Sequence, residues 1–172
     1  MVLLVLAINA TVRFRTGYPH ELLWACNLAP LLMAAGLLWG WDRVHQLGFN
    51  WVCYGTLVWT IQLFSGDSGG WFSYMNHWGC LGIGLAGTRL LGLPRGGYWR
   101  TIVAFFLLQR LTAHLIGPED NVNMAFGVWP GSVVDGLPYW VADGIILTGG
   151  LGFLWVVETA LRRRWARPQE QA

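Results

Sequence analysis

Apolar runs separated by clusters of turn formers constrain this chain more than any other feature. They fall at about 1–14, 20–41, 48–65, 71–93, 98–117 and 137–160. A bilayer core about 30 Å thick takes roughly 20 residues of helix, so these runs read as membrane-spanning helices. The punctuation agrees, because SGDSGG (65–70), GLPRGG (92–97) and GPEDNVN (117–123) are turn-forming clusters that do not continue an apolar helix. Hydrophobic residues make up 55% of the chain and charged ones 12%, which leaves too little polar surface to cover such runs in water. The expected fold is all-α, a polytopic membrane helix bundle of about six spans in one domain. A run of about 14 residues rises only ~21 Å, so a five-span arrangement stays open.

The opening run has no cation before it, and Arg13 and Arg15 follow it. That order is the reverse of a secretory signal, and the run is read as retained. Many of the twelve Trp sit at segment ends, among them Trp41, Trp71, Trp99, Trp129, Trp140 and Trp155, where interfacial belts place them. All eleven cations are Arg, and Arg162, Arg163, Arg164 and Arg167 crowd a basic tail at 161–172, joined by Arg89, Arg95 and Arg100 near 89–100. The positive-inside rule then puts the C-terminus in the cytoplasm and the 117–136 connection outside, in an expected bacterial inner membrane. Arg13 and Arg15 oppose the rule. No broad basic stripe exists, so nucleic acid is not an expected partner. Cys26, Cys53 and Cys80 show neither CxxC nor His-spaced partners, so no metal site is signalled.

Ionisable groups inside a membrane are costly and need a reason to be there. Counted from the outer ends of their helices, Cys26, Asn27, His77, Gln109, Arg110, His114 and Asp143 fall at similar depth, so four helices supply one polar layer. Arg110 and Asp143 read as a structural ion pair, since either charge alone would be hard to bury. Cys26 is by default a small apolar filler. The sharper reading makes it a nucleophile that His77 deprotonates. His77 serves equally as a packing histidine or a base, and His114 as a second base, a polar plug or a cofactor ligand. Asn27, Asn76, His114 and Asn123 are candidates for contacting substrate or an oxyanion, against the commoner turn and cap roles of such amides. His20 and His45, near helix ends, read as solvated. Glu158 reads as an exposed i, i+4 partner of Arg162.

Three stretches carry a resemblance. HELLWACNLAPLLMAAGLL, WFSYMNHWGCLGI and PEDNVNMAFGVWPG resemble, in this order over about residues 20–140, segments of the YwaF-like bacterial membrane proteins. That family is similar to a eukaryotic polytopic acyltransferase of ether-lipid metabolism and, more distantly, to androgen-induced-gene-type membrane hydrolases. The resemblance implies that Cys26 holds the nucleophile position and His77 the base position. Trp24 stands where the family has a His, Asn27 where an acid is usual, and the chain is shorter.

Two functional classes follow. One is a lipid-directed acyltransferase or hydrolase with membrane lipids as partners and no cofactor. The other is a non-catalytic accessory subunit of a larger membrane complex. There the small residues in GCLGIGLAG and GIILTGGLG favour helix contact, and His77 or His114 would ligate a haem or chlorophyll-type pigment. Transport ranks third, for want of repeats and broken helices; Pro30 is the only proline well inside a span.

Overall fold

A computed structural model describes residues 2–64, 71–128, 130–132 and 134–165. The turn cluster 65–70, Trp129 and the tail from residue 166 on, with Arg167, lie outside the described residues. Among those described the chain is all-helical, with six helices and no strand. They are α1 (Val2–Thr16), α2 (Ala25–Trp39), α3 (Asp42–Phe64), α4, α5 (Gly97–Leu115) and α6 (Tyr139–Trp165). The helix α4 is composite, running from Trp71–Tyr74 through a π turn at Met75–Gly79 into Cys80–Leu91. One helix, α6, is long and apolar enough to cross a membrane, and α2 is a shorter apolar helix.

Several boundaries differ from the apolar runs. Residues 20–41 are not one helix: Pro19–Leu23 form a 3-10 turn, and Trp24, with ψ 134°, breaks the chain before α2. Pro19 opens that turn, since proline suits the first positions of a helical segment. Cys26 and Asn27 therefore sit in the first turn of α2 rather than a turn and a half below a helix start. Helix α3 begins six residues earlier than its apolar run, at Asp42. This takes His45 and Gln46 into the core, each 1% exposed. His45 is thus buried rather than solvated: Nδ1 faces the Met33 carbonyl and Nε2 the Gly84 carbonyl, both at 3.1 Å. Helix α6 continues through the Arg cluster to Trp165.

The core closes around Phe49, Met33, Ala29, Cys80 and Leu154. A Cβ on Gly84 would lie 2.6 Å from the Phe49 ring, so glycine here lets α3 and α4 approach. Contacts at the helix ends set an up-and-down order with two polar ends. At one, Glu158 of α6 accepts hydrogen bonds from Gly96 N (2.7 Å) and Tyr98 N (3.2 Å), and Arg162 donates to the Leu93 carbonyl. Glu158 is buried and caps α5, where Gly96 has no side chain to do so. It is therefore not an exposed partner of Arg162. At the other end lies the cavity described next.

Candidate functional site

Helix α2 starts abruptly because a remote residue completes its first turn. Asn123 accepts from Ala25 N through Oδ1 (2.9 Å) and donates from Nδ2 to the Leu23 carbonyl (2.8 Å). A side-chain oxygen on an otherwise unpaired N–H is the ordinary helix N-cap, delivered here by the 117–138 connection. The same connection touches the 3-10 turn again where His20 Nε2 meets Asp120 Oδ1 at 3.1 Å, so His20 is paired rather than simply solvated. Its backbone is wound left-handed at Asn121, Asn123 and Met124 (φ 39°, 58° and 56°). Non-glycine residues adopt such angles at a cost of about 1–3 kcal/mol each and persist only where their surroundings hold them. Buried contacts hold Asn123 and Met124 in place.

Beneath this docked connection lies a cavity of about 730 Å³, bounded by all six helices. Along α3 its wall runs from Trp51 to Gln62, about eleven residues or ~16 Å of axis. Most of the lining is apolar and aromatic, with Trp24, Trp51, Tyr54, Trp59 and Phe105 prominent. Cys26, Asn27, Ser73, Asn76 and His77 form its polar side, and Arg13 and Glu21, ion-paired to each other, line it as well.

The π turn of α4 positions two of these groups. Its wider winding lies at Met75–Gly79, and Asn76 and His77 are the two buried residues within it. Such turns recur at functional sites because they re-aim side chains without breaking a helix. His77 stacks flat on Trp59, ring centroids 4.7 Å apart at 3°. Its Nδ1 lies 2.9 Å from the Ser73 carbonyl. A carbonyl only accepts, so Nδ1 carries the hydrogen and Nε2 is left as the acceptor, with no hydrogen-bond partner among the described residues. No hydrogen bond joins His77 to Cys26. Each lines the cavity separately.

The amides are ordered by the same logic. Asn27 donates to the Glu21 carbonyl (2.7 Å), so its Oδ1 must be the atom that accepts from Asn76 Nδ2 (3.0 Å). Asn76 Oδ1 then lacks any partner among the described residues, although the residue is 5% exposed. A buried acceptor without a donor costs about 1–3 kcal/mol, which marks the place where a ligand donor is worth most.

No family model, curated protein or solved structure matches this chain. The site must accordingly be read from its own geometry. The structure brings Cys26, Asn27, Asn76, His77 and Asn123 to one cavity and leaves two expected groups elsewhere. His114 is exposed in the last turn of α5 and does not line the cavity. Asn123 does line it, but both ends of its amide are committed to α2, so it is a cap and not a free oxyanion donor. Arg110 and Asp143 form no ion pair. Gln109 stands between them, donating to Asp143 Oδ1 at 2.8 Å, and Arg110 turns to the Tyr139 hydroxyl at 3.0 Å. Gln109 also reaches the Asn123 and Met124 carbonyls (3.1 and 3.3 Å), and Tyr139 donates to the Met124 carbonyl at 2.9 Å. This network clamps the left-handed segment from behind. A neutral amide satisfies an acid and two carbonyls there without the desolvation of a buried ion pair, and that is why it displaces the expected pairing. Among the described residues no cluster of three His, Cys, Asp or Glu could hold a metal ion.

Residue spacing missed Trp59, Ser73, Tyr54 and the Arg13–Glu21 pair as parts of the site. The pair had a signal: Arg13 precedes, and Glu21 lies within, a Pro-led turn beside an apolar run, where each needs the other.

Proposed function

We propose that this chain is a polytopic membrane protein that carries out acyl transfer or hydrolysis on a lipid, with Cys26 as nucleophile and His77 as base. One observation carries the chemistry: Cys26 and His77 open onto the same largely apolar cavity, and His77 is held with its acceptor nitrogen unengaged. The resemblance to YwaF-like proteins assigns the same two residues.

The membrane setting draws support from the polarity of the surface. Helix α5 buries Thr101, Gln109 and Thr112 and exposes Val103, Phe106, Leu107, Leu111 and Leu115. A helix that turns polar residues inward and apolar ones outward suits an apolar solvent, in which buried polar groups pair with one another. Six passes would put both termini on one side. Arg43, Arg89, Arg95, Arg100 and Arg162–Arg164 all lie toward the end opposite the cavity, so that end faces the cytoplasm of a bacterial inner membrane. The cavity then opens in the outer half of the bilayer.

In the proposed reaction His77 Nε2 takes the Cys26 thiol proton. The sulfur bonds to the acyl carbonyl carbon, the carbon–oxygen bond of the ester breaks, and the leaving alcohol takes the proton from His77. Water or an acceptor hydroxyl, deprotonated by His77, then attacks the thioester carbonyl. The carbon–sulfur bond breaks, and the thiolate regains the proton from His77. Dyads are often loose without substrate, and a carbonyl lying against both walls would bring sulfur and ring into line. An alkyne-tagged long-chain acyl β-lactone, applied to membranes containing the full chain, tests this. Labelling should be abolished in Cys26→Ala and retained in Cys53→Ala and Cys80→Ala; undiminished labelling of Cys26→Ala rejects the nucleophile.

The accessory-subunit reading draws on another surface, the outward face of α6 with Trp140, Ile145, Trp155 and Val156 exposed. His114, the ligand considered for a pigment, is exposed and does not line this cavity. Purification in mild detergent separates the two readings, since a colourless, monodisperse monomer counts against a subunit built to sit on partners.

A further inference from the structure

Two properties of the cavity, its size and its charge, restrict what can fill it. At roughly 30 Å³ per non-hydrogen atom, the share of a water molecule in its liquid, 730 Å³ holds about 24 such atoms. One long acyl chain with a glycerol head has about 25, so the space accommodates one such chain.

Among the described residues, the polar side of the cavity carries no uncompensated charge. Cys26, Asn27, Ser73 and Asn76 are neutral, and the charged side chains among the described lining residues, Arg13 and Glu21, are paired with each other. A phosphate buried here would meet a guanidinium already engaged by a carboxylate. Burying an anion without a counter-charge costs far more than burying a hydrogen-bonded hydroxyl. Asn76 adds a positive requirement, because its orphaned Oδ1 needs a donor. Glycerol hydroxyls are donors, whereas a phosphocholine head has none.

We infer that the cavity takes a neutral single-chain acyl lipid of the monoacylglycerol type and discriminates against lipids with an anionic phosphate head. This rests on the reading of the cavity as a lipid-acyl site. The carboxylate of Glu21 is the selecting group, since it offsets the charge that Arg13 would otherwise offer an anion.

Binding measured without turnover tests the inference. The full chain carrying Cys26→Ala, purified in detergent, is titrated with three radiolabelled lipids that share the oleoyl chain: monooleoylglycerol, lysophosphatidate and dioleoylphosphatidylcholine. Monooleoylglycerol should bind saturably and at least tenfold more tightly than the other two. Gly55→Phe should weaken it at least tenfold, because a side chain at Gly55 projects beside Cys26, with a Cβ-to-Cβ distance of 3.6 Å. Should Gly55→Phe not fold, Val58→Phe fills the same wall. The sharper arm is a gain: Glu21→Gln frees Arg13 and should raise lysophosphatidate affinity about tenfold relative to that for monooleoylglycerol. Equal affinities for the three lipids in the parent protein, or no gain for lysophosphatidate in Glu21→Gln, would overturn the inference. A protein that binds as expected but shows no Cys26-dependent labelling keeps the ligand class and loses the acyl-transfer chemistry.

Discussion

The two polar ends of the bundle are built from similar residue types and reach opposite outcomes. At the Arg-rich end, Glu158 receives two backbone N–H groups and the Gln46 amide, and Gln46 in turn bonds Pro94 O and Arg100. No atom of Glu158 or Gln46 is buried without a partner. At the other end, Asn76 Oδ1, Arg13 Nε and Arg110 Nε all are. The Glu158–Gln46 network fixes helices at its end, although Thr88 Oγ1 near the same end is also buried without a partner. Around the open end the chain retains a cavity, orphaned polar atoms and left-handed backbone, which are costs that packing alone does not require.

Substitutions can break this contrast, and the largest effect should fall at the closed end. Glu158→Ala strands two N–H groups at the start of α5 and should lower stability by on the order of 3 kcal/mol, seen as a depressed Tm in detergent, with monooleoylglycerol affinity per folded molecule unchanged. Asn123→Ala removes the cap of α2 and leaves alanine at φ 58°; a loss of about 2 kcal/mol is expected. That variant should also weaken lipid binding, because α2 carries Cys26. Should Asn123→Ala bind normally, the connection would be mere cover for the cavity. His77→Gln sharpens the comparison differently: stability should move by less than about 1 kcal/mol while acyl β-lactone labelling slows by ~100-fold or more. A stability loss as large as that of Glu158→Ala would make His77 a packing histidine. Smallest of all, His114→Ala should stay within about 0.5 kcal/mol and leave labelling intact.

How much of this was legible before the structure depends on the range of the interaction. Helix number and the main turns follow from local composition, so the apolar runs and the Gly-rich breaks found them. Helix rise placed Cys26, Asn27, His77, Gln109, Arg110, His114 and Asp143 at one depth; the first three line the cavity and the last four do not. Choice of partner was beyond reach. Spacing offers Arg110 to Asp143 and Glu158 to Arg162, but tertiary packing offers Gln109 and the Gly96 backbone instead, from 34 and 62 residues away. Boundaries failed for a related reason. Hydropathy ends where Asp42, Arg43, His45 and Gln46 begin, yet α3 includes them, and buried carbonyls across the bundle receive the polar atoms of His45 and Gln46. The break at Trp24 was concealed inside an apolar run, with Pro19 the one hint of a separate turn.

The Asn123 cap has a consequence for the order of assembly. The N–H and carbonyl that it satisfies lie 98 and 100 residues earlier in the chain. During synthesis at roughly 5–20 residues per second, α2 waits seconds with its first turn incomplete, until α3, α4 and α5 have emerged. The wall that carries Cys26 therefore takes its final form only after most of the bundle exists. The Cys26 thiol is thus kept from its place on the cavity wall until the rest of that wall has been built.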